Sequence, residues 1–70
     1  MSGTYVVADE VEVGDLFVGF PGLPQSPTDP KAPAPIVSIQ GHEDRRFYIE
    51  QDGVVSFRWC RHDEIVEVVR

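Results

Sequence analysis

The apolar residues of this chain fall in short β-branched and aromatic runs, and apolar residues at helical spacing are nearly absent. Runs of this kind, bounded by turn-forming residues, are typical of β-strands. They predict strands at residues 5–8, 16–20, 36–40, 45–50, 54–60 and 65–69. Tight turns are expected at 41–44 and 62–64, where glycine, histidine and acidic residues separate the runs. The pattern therefore predicts an all-β fold of five to six short antiparallel strands.

All six prolines of the chain lie between residues 21 and 35. Proline fixes φ and has no N–H to donate to a sheet, so these residues predict a long connecting loop. Loops of this length in a small domain often carry function. Leu23 and Lys31 are therefore candidate partner-binding residues within this Pro-rich loop.

The hairpin between residues 45 and 60 allows two registers around its Asp52-Gly53 pair. A two-residue turn leaves apolar and polar side chains mixed on both faces. A three-residue loop at 51–53 pairs Phe47 with Phe57 and makes one face apolar. Because a one-residue slip moves every side chain to the other face, burial favours the three-residue loop. We therefore expect that register, with glycine in the left-handed conformation that completes the loop.

This register sorts the apolar side chains into one core. The residues expected to be buried are Leu16, Val18, Val37, Ile39, Phe47, Ile49, Val55, Phe57 and Trp59, with part of 65–69. Short strands that curl around one core, and so avoid exposed edges, describe a small SH3-like barrel. The chain has 70 residues, which predicts a single domain spanning 1–70.

The same register places Arg46, Tyr48 and Arg58 together on the polar outer face, with the two arginines opposite each other. Like charges directly opposed destabilise a sheet, so an anionic group is expected between them. One candidate is an internal carboxylate, from Glu43 or Glu67. The other is an acidic or phosphorylated protein partner that docks on this patch. The three residues are therefore predicted to bind a partner.

The charged residues favour a protein partner over nucleic acid. The chain has 6 Lys and Arg against 12 Asp and Glu, a formal net charge of −6, and contact with phosphates needs the opposite balance. The first 20 residues contain no basic residue and four acids: Asp9, Glu10, Glu12 and Asp15. Such a segment can mimic the phosphates of nucleic acid and occupy a basic groove. The alternative function is therefore an acidic inhibitor of a nucleic-acid enzyme, of the kind that phages encode.

Cys60 is the single cysteine, so an internal disulfide is excluded and nothing points to an oxidising compartment. Cys60 and His62 could form a nucleophilic pair, or join His42 and a carboxylate in a zinc site. A third orienting residue and the paired ligand spacing of zinc sites are both missing from the sequence. We therefore predict no catalytic residue, no metal and no cofactor. Without a signal peptide or a run of about 20 apolar residues, we expect a cytoplasmic protein with no membrane partner.

Several stretches resemble the SH3-like barrel superfamily. They are residues 13–17 at the opening of a strand, the loop to Pro35, the Asp52-Gly53 hairpin, and 63–65 before the last strand. Because fold similarity does not carry function, the function expected first rests on the candidate residues. It is a non-enzymatic protein-interaction module that binds through the Pro-rich loop and the Arg/Tyr face.

Residues 14–20 and 35–37 also look like the start of the MazF/PemK-type toxin ribonucleases. That resemblance implies RNA binding or RNA cleavage as a further alternative. The chain departs from those toxins in its acidic balance and in stopping after its last predicted strand. We therefore expect the shared feature to be barrel geometry and not ribonuclease activity.

Overall fold

The computed structural model describes residues 3–21 and 33–70, which form six β-strands and a short 3₁₀ turn at Ala8–Glu10. The strands are β1 Thr4–Val7, β2 Leu16–Gly19, β3 Ala34–Gln40, β4 Asp44–Gln51, β5 Val54–Arg61 and β6 Ile65–Val69. Their pairings are antiparallel, in the order β1-β6-β2-β3-β4-β5. The predicted all-β fold of antiparallel strands is confirmed. Within the described ranges, no helix is long and apolar enough to cross a membrane.

Every strand contributes to a single hydrophobic core. The buried residues are Val6, Ala8, Val11, Phe17, Ala34, Ile36, Phe47, Ile49, Cys60, Val66 and Val68. A flat sheet cannot bring side chains from both of its ends into one cluster, so the sheet curls around the core. Among the described residues, β1 and β5 remain open edges and the sheet does not close on itself. Ala8 N–H donates to Glu64 O (2.8 Å) and Asp9 N–H to His62 O (3.2 Å), which ties the 3₁₀ turn to the β5–β6 connection.

β3 begins at Ala34, inside the stretch predicted to be the Pro-rich loop. Ile36 N–H donates to Asp15 O (2.9 Å), and Ile36 O accepts from Gly14 N–H (3.0 Å). These bonds direct the backbone groups of Ile36 toward β2. Because neighbouring residues of a strand direct their backbone groups to opposite sides, the nitrogen of Pro35 faces away from β2, toward β4. The pairing of β3 with β4 begins only at Ile36, so no partner strand needs an N–H from Pro35. The strand therefore tolerates proline because it needs no N–H at this position.

The β4–β5 hairpin has a different register from the one expected. Gln51 lies opposite Val54, so Asp52 and Gly53 alone form the turn. Both turn residues have positive φ, 52° and 79°, as a type I′ turn requires. The prediction of a three-residue loop is therefore wrong by one residue. Asp-Gly strongly favours the type I′ turn, whose twist matches that of the strands, and this local preference prevails over the sorting of apolar side chains.

This one-residue difference turns three predicted core residues outward. Phe47 is fully buried as expected, whereas Val55, Phe57 and Trp59 lie on the opposite side of the sheet and are exposed. Cys60 supplies the buried side chain of β5 instead. The core is therefore smaller than predicted, and β5 presents its large apolar residues to the outside.

The other core predictions hold in part. Ile49 is fully buried, and Ile39 is partly buried against the core. Val37 is exposed, beside an irregularity in the β3–β4 pairing. In β2 the buried residue is Phe17, because alternate side chains of a strand face opposite sides. Leu16 and Val18, which were both expected in the core, are half-buried.

Candidate functional site

The register of β4 and β5 gathers large side chains on the outer side of the hairpin. Alternate residues of a strand share a face, and opposed pairs bring the two sets together. We call this surface the aromatic face; its residues are Arg46, Tyr48, Glu50, Val55, Phe57 and Trp59. The rings of Tyr48 and Phe57 lie opposite each other, with centroids 5.9 Å apart and planes inclined by 44°. Trp59 lies opposite Arg46, at the end of the face away from the turn.

The apolar members of the aromatic face are more than half exposed. The exposed fraction is 54% for Val55, 53% for Phe57 and 57% for Trp59. Single exposed apolar residues are common, but a contiguous group of large ones on a small protein typically marks an interaction site. Tyrosine and tryptophan suit such a site, since each offers a large apolar area together with a polar group at its edge.

The aromatic face carries one positive and one negative side chain. Arg46 and Glu50 lie on either side of Tyr48 along β4, so the face has no net charge. The side chain of Arg46 forms no hydrogen bond or ion pair with another residue in the described part of the chain. Its guanidinium therefore retains its donors for acceptor groups on a partner.

The backbone of β5 forms an open edge beside the aromatic face. His62 N–H donates to Glu43 O (2.9 Å), so the backbone groups of His62 point toward the β4 side. Backbone groups alternate in direction along an antiparallel strand, so the even-numbered residues of β5 point toward β4. The backbone groups of the odd-numbered residues Val55, Phe57 and Trp59 therefore point away from β4. No described residue pairs with the N–H groups of these three residues. The same three residues therefore present exposed side chains and open backbone donors.

Arg58 does not join the aromatic face. It lies opposite Phe47 and not opposite Arg46, so the predicted pair of opposed arginines does not exist. Its Nη1 donates to Phe57 O (2.9 Å) and lies 3.4 Å from Ser56 Oγ. The structure thus brings together two of the three predicted patch residues, Arg46 and Tyr48. The predicted loop residues Leu23 and Lys31 lie outside the described part of the chain.

Two of the four acidic residues predicted as a surface array are bound internally. Asp9 forms an ion pair with Arg45 (3.1 Å) and lies 3.4 Å from His62 Nδ1. Asp15 is only 8% exposed. It accepts a hydrogen bond from Glu12 N–H (2.9 Å) and forms an ion pair with Arg70 (3.3 Å). The carboxylates of the two aspartates therefore stabilise the fold locally.

The remaining two acids of that segment, Glu10 and Glu12, are exposed. Only the backbone of Glu10 takes part in the Arg70 contacts, through a hydrogen bond from Arg70 Nη2 to Glu10 O (2.8 Å). The segment therefore offers a partner two exposed carboxylates without an internal ion pair where the sequence predicted four, while the carboxylate of Asp9 is exposed but paired with Arg45.

The environment of Cys60 does not activate its thiol. Cys60 is buried in the core. Burial, reinforced by the negative charges of Glu64 and Asp44 and opposed by Arg45, raises the pKa of the thiol from 9.0 to about 11. The thiol therefore stays protonated near neutral pH, and the reactive thiolate does not form. Among the described residues, no group of three or more His, Cys, Asp or Glu side chains could hold a metal ion.

We expect the Cys60 thiol to react with iodoacetamide about 100-fold more slowly than a cysteine of ordinary pKa, from the two-unit rise in its pKa alone.

The raised pKa of the Cys60 thiol also makes the stability of the fold depend on pH. The unfolded chain loses the proton near pH 9.0 and the folded chain near pH 11, so the free energy of unfolding should fall between these values. Labelling rates and alkaline denaturation curves measure the two effects. Cys60→Ala should show a shallower alkaline loss, and equal labelling of folded and denatured protein would contradict the expectation.

No protein-family model, curated protein or solved structure matches the chain. The candidate site therefore rests on the geometry of the surface itself. Sequence reasoning missed Val55, Phe57 and Trp59 as surface residues and assigned them to the core. The Asp52-Gly53 pair was the signal that places them outside, because it favours the two-residue type I′ turn.

Proposed function

We propose that this chain is a small non-enzymatic protein-interaction module that binds a protein partner through its aromatic face. The observation that carries the proposal is the exposure of Val55, Phe57 and Trp59 side by side with Tyr48. Covering apolar surface contributes roughly 25 cal/mol per Å², and buried aromatic residues contribute most of the binding free energy of many interfaces. Arg46 adds a charged donor at the margin of the face.

The charge of the surface supports a protein partner over nucleic acid. Bases stack on exposed aromatic rings, but the affinity of proteins for nucleic acid comes largely from phosphate contacts. On the aromatic face Glu50 balances Arg46, and the chain has a net charge of −6. RNA binding or cleavage of the toxin kind is therefore the less favoured proposal.

The acidic-inhibitor alternative has weaker support than the sequence suggested. A phosphate mimic needs an array of free carboxylates, and Asp9 and Asp15 form internal ion pairs. Glu10 and Glu12 remain as exposed acids of the segment. Two carboxylates are few for recognition by a basic groove. The aromatic face, with three large apolar side chains, gives the interaction-module proposal the stronger basis.

An SH3-like barrel in the cytoplasm completes the proposal. Six antiparallel strands around one core support the barrel, as do the backbone bonds from the 3₁₀ turn to the β5–β6 connection. The chain has one cysteine, so nothing in it points to an oxidising compartment. The Pro-rich loop, with Leu23 and Lys31, belongs to the proposed contact surface on the ground of its composition. Arg58, bound to the edge carbonyl of Phe57, adds a cation at the rim of that surface.

Capture of partners from a host lysate tests the proposal. The tagged wild-type protein is compared with Trp59→Ala, with and without nuclease and at low and moderate salt. We expect one dominant, nuclease-resistant protein partner, bound at least about 30-fold more weakly by Trp59→Ala, as for an aromatic hot-spot residue. Tyr5→Ala is the matched control, because Tyr5 is a similarly exposed aromatic residue (65%) on the opposite edge strand.

Two outcomes would contradict the proposal. Equal loss of the partner in Trp59→Ala and Tyr5→Ala would show that the aromatic face is not the contact surface. A heterogeneous, nuclease-sensitive set of captured proteins would assign the face to nucleic acid. A partner that is retained by Trp59→Ala but lost steeply with salt would instead favour the acidic segment.

A further inference from the structure

The open edge of β5 is complementary to itself. Its outward backbone groups belong to Val55, Phe57 and Trp59, which are spaced two residues apart. An antiparallel copy of this strand, placed so that Phe57 faces Phe57, brings Val55 of each chain opposite Trp59 of the other. In this register each residue whose backbone N–H and C=O point away from β4 faces another such residue of the second copy. Each of these N–H groups therefore meets a carbonyl oxygen of the other chain. One register therefore satisfies the whole edge.

The side chains fit the same register. On the outer side it forms a Phe57–Phe57 pair flanked by two Val55–Trp59 pairs. Cross-strand pairs between aromatic and β-branched residues stabilise antiparallel sheets. All three side chains are more than half exposed in the single chain. Pairing therefore places them beside one another and reduces their contact with water.

The charges at the two ends of the strand are also complementary. Asp52 lies in the turn before β5, and Arg61 ends the strand. Antiparallel pairing brings Arg61 of each copy beside the turn that holds Asp52 of the other. β5 contains no proline, and its one charge on the core side, Arg58, turns back to the edge, where its Nη1 donates to Phe57 O (2.9 Å). Arg58 Nη1 occupies one lone pair of Phe57 O, and a carbonyl oxygen accepts a second bond.

We infer that this chain forms a homodimer in which β5 pairs antiparallel with β5 of a second copy, about a twofold axis at Phe57. The two sheets become one continuous sheet, and the two aromatic faces lie side by side on its outer side. The inference goes beyond the proposed function, because it rests on the backbone edge and names a second copy as the occupant of that edge. Oligomeric state and partner capture then report on the two proposals separately.

Proline variants test the edge. Val55→Pro removes an outward N–H while keeping a side chain of similar size, and Val55 donates no bond to β4. The control is Tyr5→Pro on β1, the other edge strand. Ala8 N–H donates to Glu64 O, so by alternation the backbone groups of Val6 and Thr4 also point toward β6. The N–H of Tyr5, which lies between them, therefore points away from β6, toward the open edge.

The dissociation constant of the dimer is measured by sedimentation equilibrium. Val55→Pro should raise it about 30-fold or more, since one backbone hydrogen bond is lost from each copy. Tyr5→Pro should leave it within about twofold of wild type. Added salt should strengthen the wild-type dimer, because both copies carry a net charge of −6. Amide NMR spectra verify that each variant keeps the β4–β5 pairing.

Cysteine variants test the register independently of the prolines. In Phe57→Cys the two new thiols lie directly opposite each other across the twofold axis, at a separation of about 5.5 Å between Cα atoms that suits a disulfide. In Val55→Cys the two new thiols lie roughly 13 Å apart along the strands, too far to join. Mild oxidation should therefore cross-link Phe57→Cys rapidly and Val55→Cys slowly. Wild type should not cross-link, because Cys60 is buried.

Several results would overturn the inference. A wild-type protein that stays monomeric at concentrations of about 1 mM rejects it outright. Equal cross-linking of the two cysteine variants rejects the register. Loss of the dimer in Tyr5→Pro but not in Val55→Pro moves the interface to β1. A monomer whose lysate partner is lost in Val55→Pro assigns the β5 edge to a foreign strand.

Discussion

Phe47→Ala is expected to lower the free energy of unfolding by about 3–5 kcal/mol, the usual cost of removing a fully buried phenylalanine. Phe47 has no exposed surface and lies in the single core cluster of the protein. A domain of 70 residues has a total stability of roughly 4–10 kcal/mol, at about 0.05–0.15 kcal/mol per residue. The substitution therefore removes a large part of the stability, and urea denaturation followed by circular dichroism measures the loss.

Phe57→Ala is the matched control, one strand away. Its ring is 53% exposed and contacts Tyr48, so we expect a loss of about 1 kcal/mol, the value of an aromatic pair at a surface. Dilute protein keeps the measurement on the monomer. The comparison decides the register of the hairpin. Similar losses for the two phenylalanines would indicate that they share the core, as a three-residue loop requires.

The positions of the strands could be predicted from the sequence because short apolar runs and turn residues are local signals. The observed strands overlap each of the predicted runs, and the largest shift is at β3, which begins at Ala34 and not at residue 36. Proline was the cause of that difference. The prediction treated Pro35 as part of the loop, whereas the strand accommodates it on the side where no N–H is needed.

The register of the hairpin required a choice between two physical effects. Burial favours the register that pairs Phe47 with Phe57, and the Asp-Gly turn favours the register that pairs Tyr48 with Phe57. The observed register follows the turn. Burial did not prevail because β5 has another residue, Cys60, to place in the core. The candidate site therefore depends on the turn preference of Asp52-Gly53, which the sequence-based prediction placed below burial. That preference is what exposes Val55, Phe57 and Trp59.

The candidate charged residues depended on contacts between distant parts of the chain. Arg46 and Tyr48 share a face in either register, since they lie two residues apart on one strand. The ion pairs of Asp9 with Arg45 and of Asp15 with Arg70 join residues far apart in sequence. No local pattern predicts such pairs. The number of free carboxylates in the acidic segment therefore became clear only from the fold.

Gly41→Ala is expected to lower the free energy of unfolding by about 3 kcal/mol, through strain and steric overlap together. Gly41 has φ 93°, a conformation that residues with a Cβ atom rarely adopt. A Cβ atom at this position would overlap the carbonyl oxygen of Asp44. The Cβ atom is fixed to the backbone of the β3–β4 turn and the oxygen belongs to the backbone of β4, so the overlap is relieved only by displacing the turn or the start of β4. Chemical denaturation of the variant measures the loss.

Gly53→Ala separates the overlap from the strain. Gly53 has φ 79°, and a Cβ atom there would meet nothing within 4 Å. Only the cost of the left-handed conformation remains, about 1–2 kcal/mol. A loss in Gly41→Ala no larger than that in Gly53→Ala would show that the turn yields. Arg45 donates to Gly41 O (3.3 Å) and pairs with Asp9. Displacing the turn should therefore also loosen the 3₁₀ turn, which reduced amide protection of Ala8 and Asp9 would reveal.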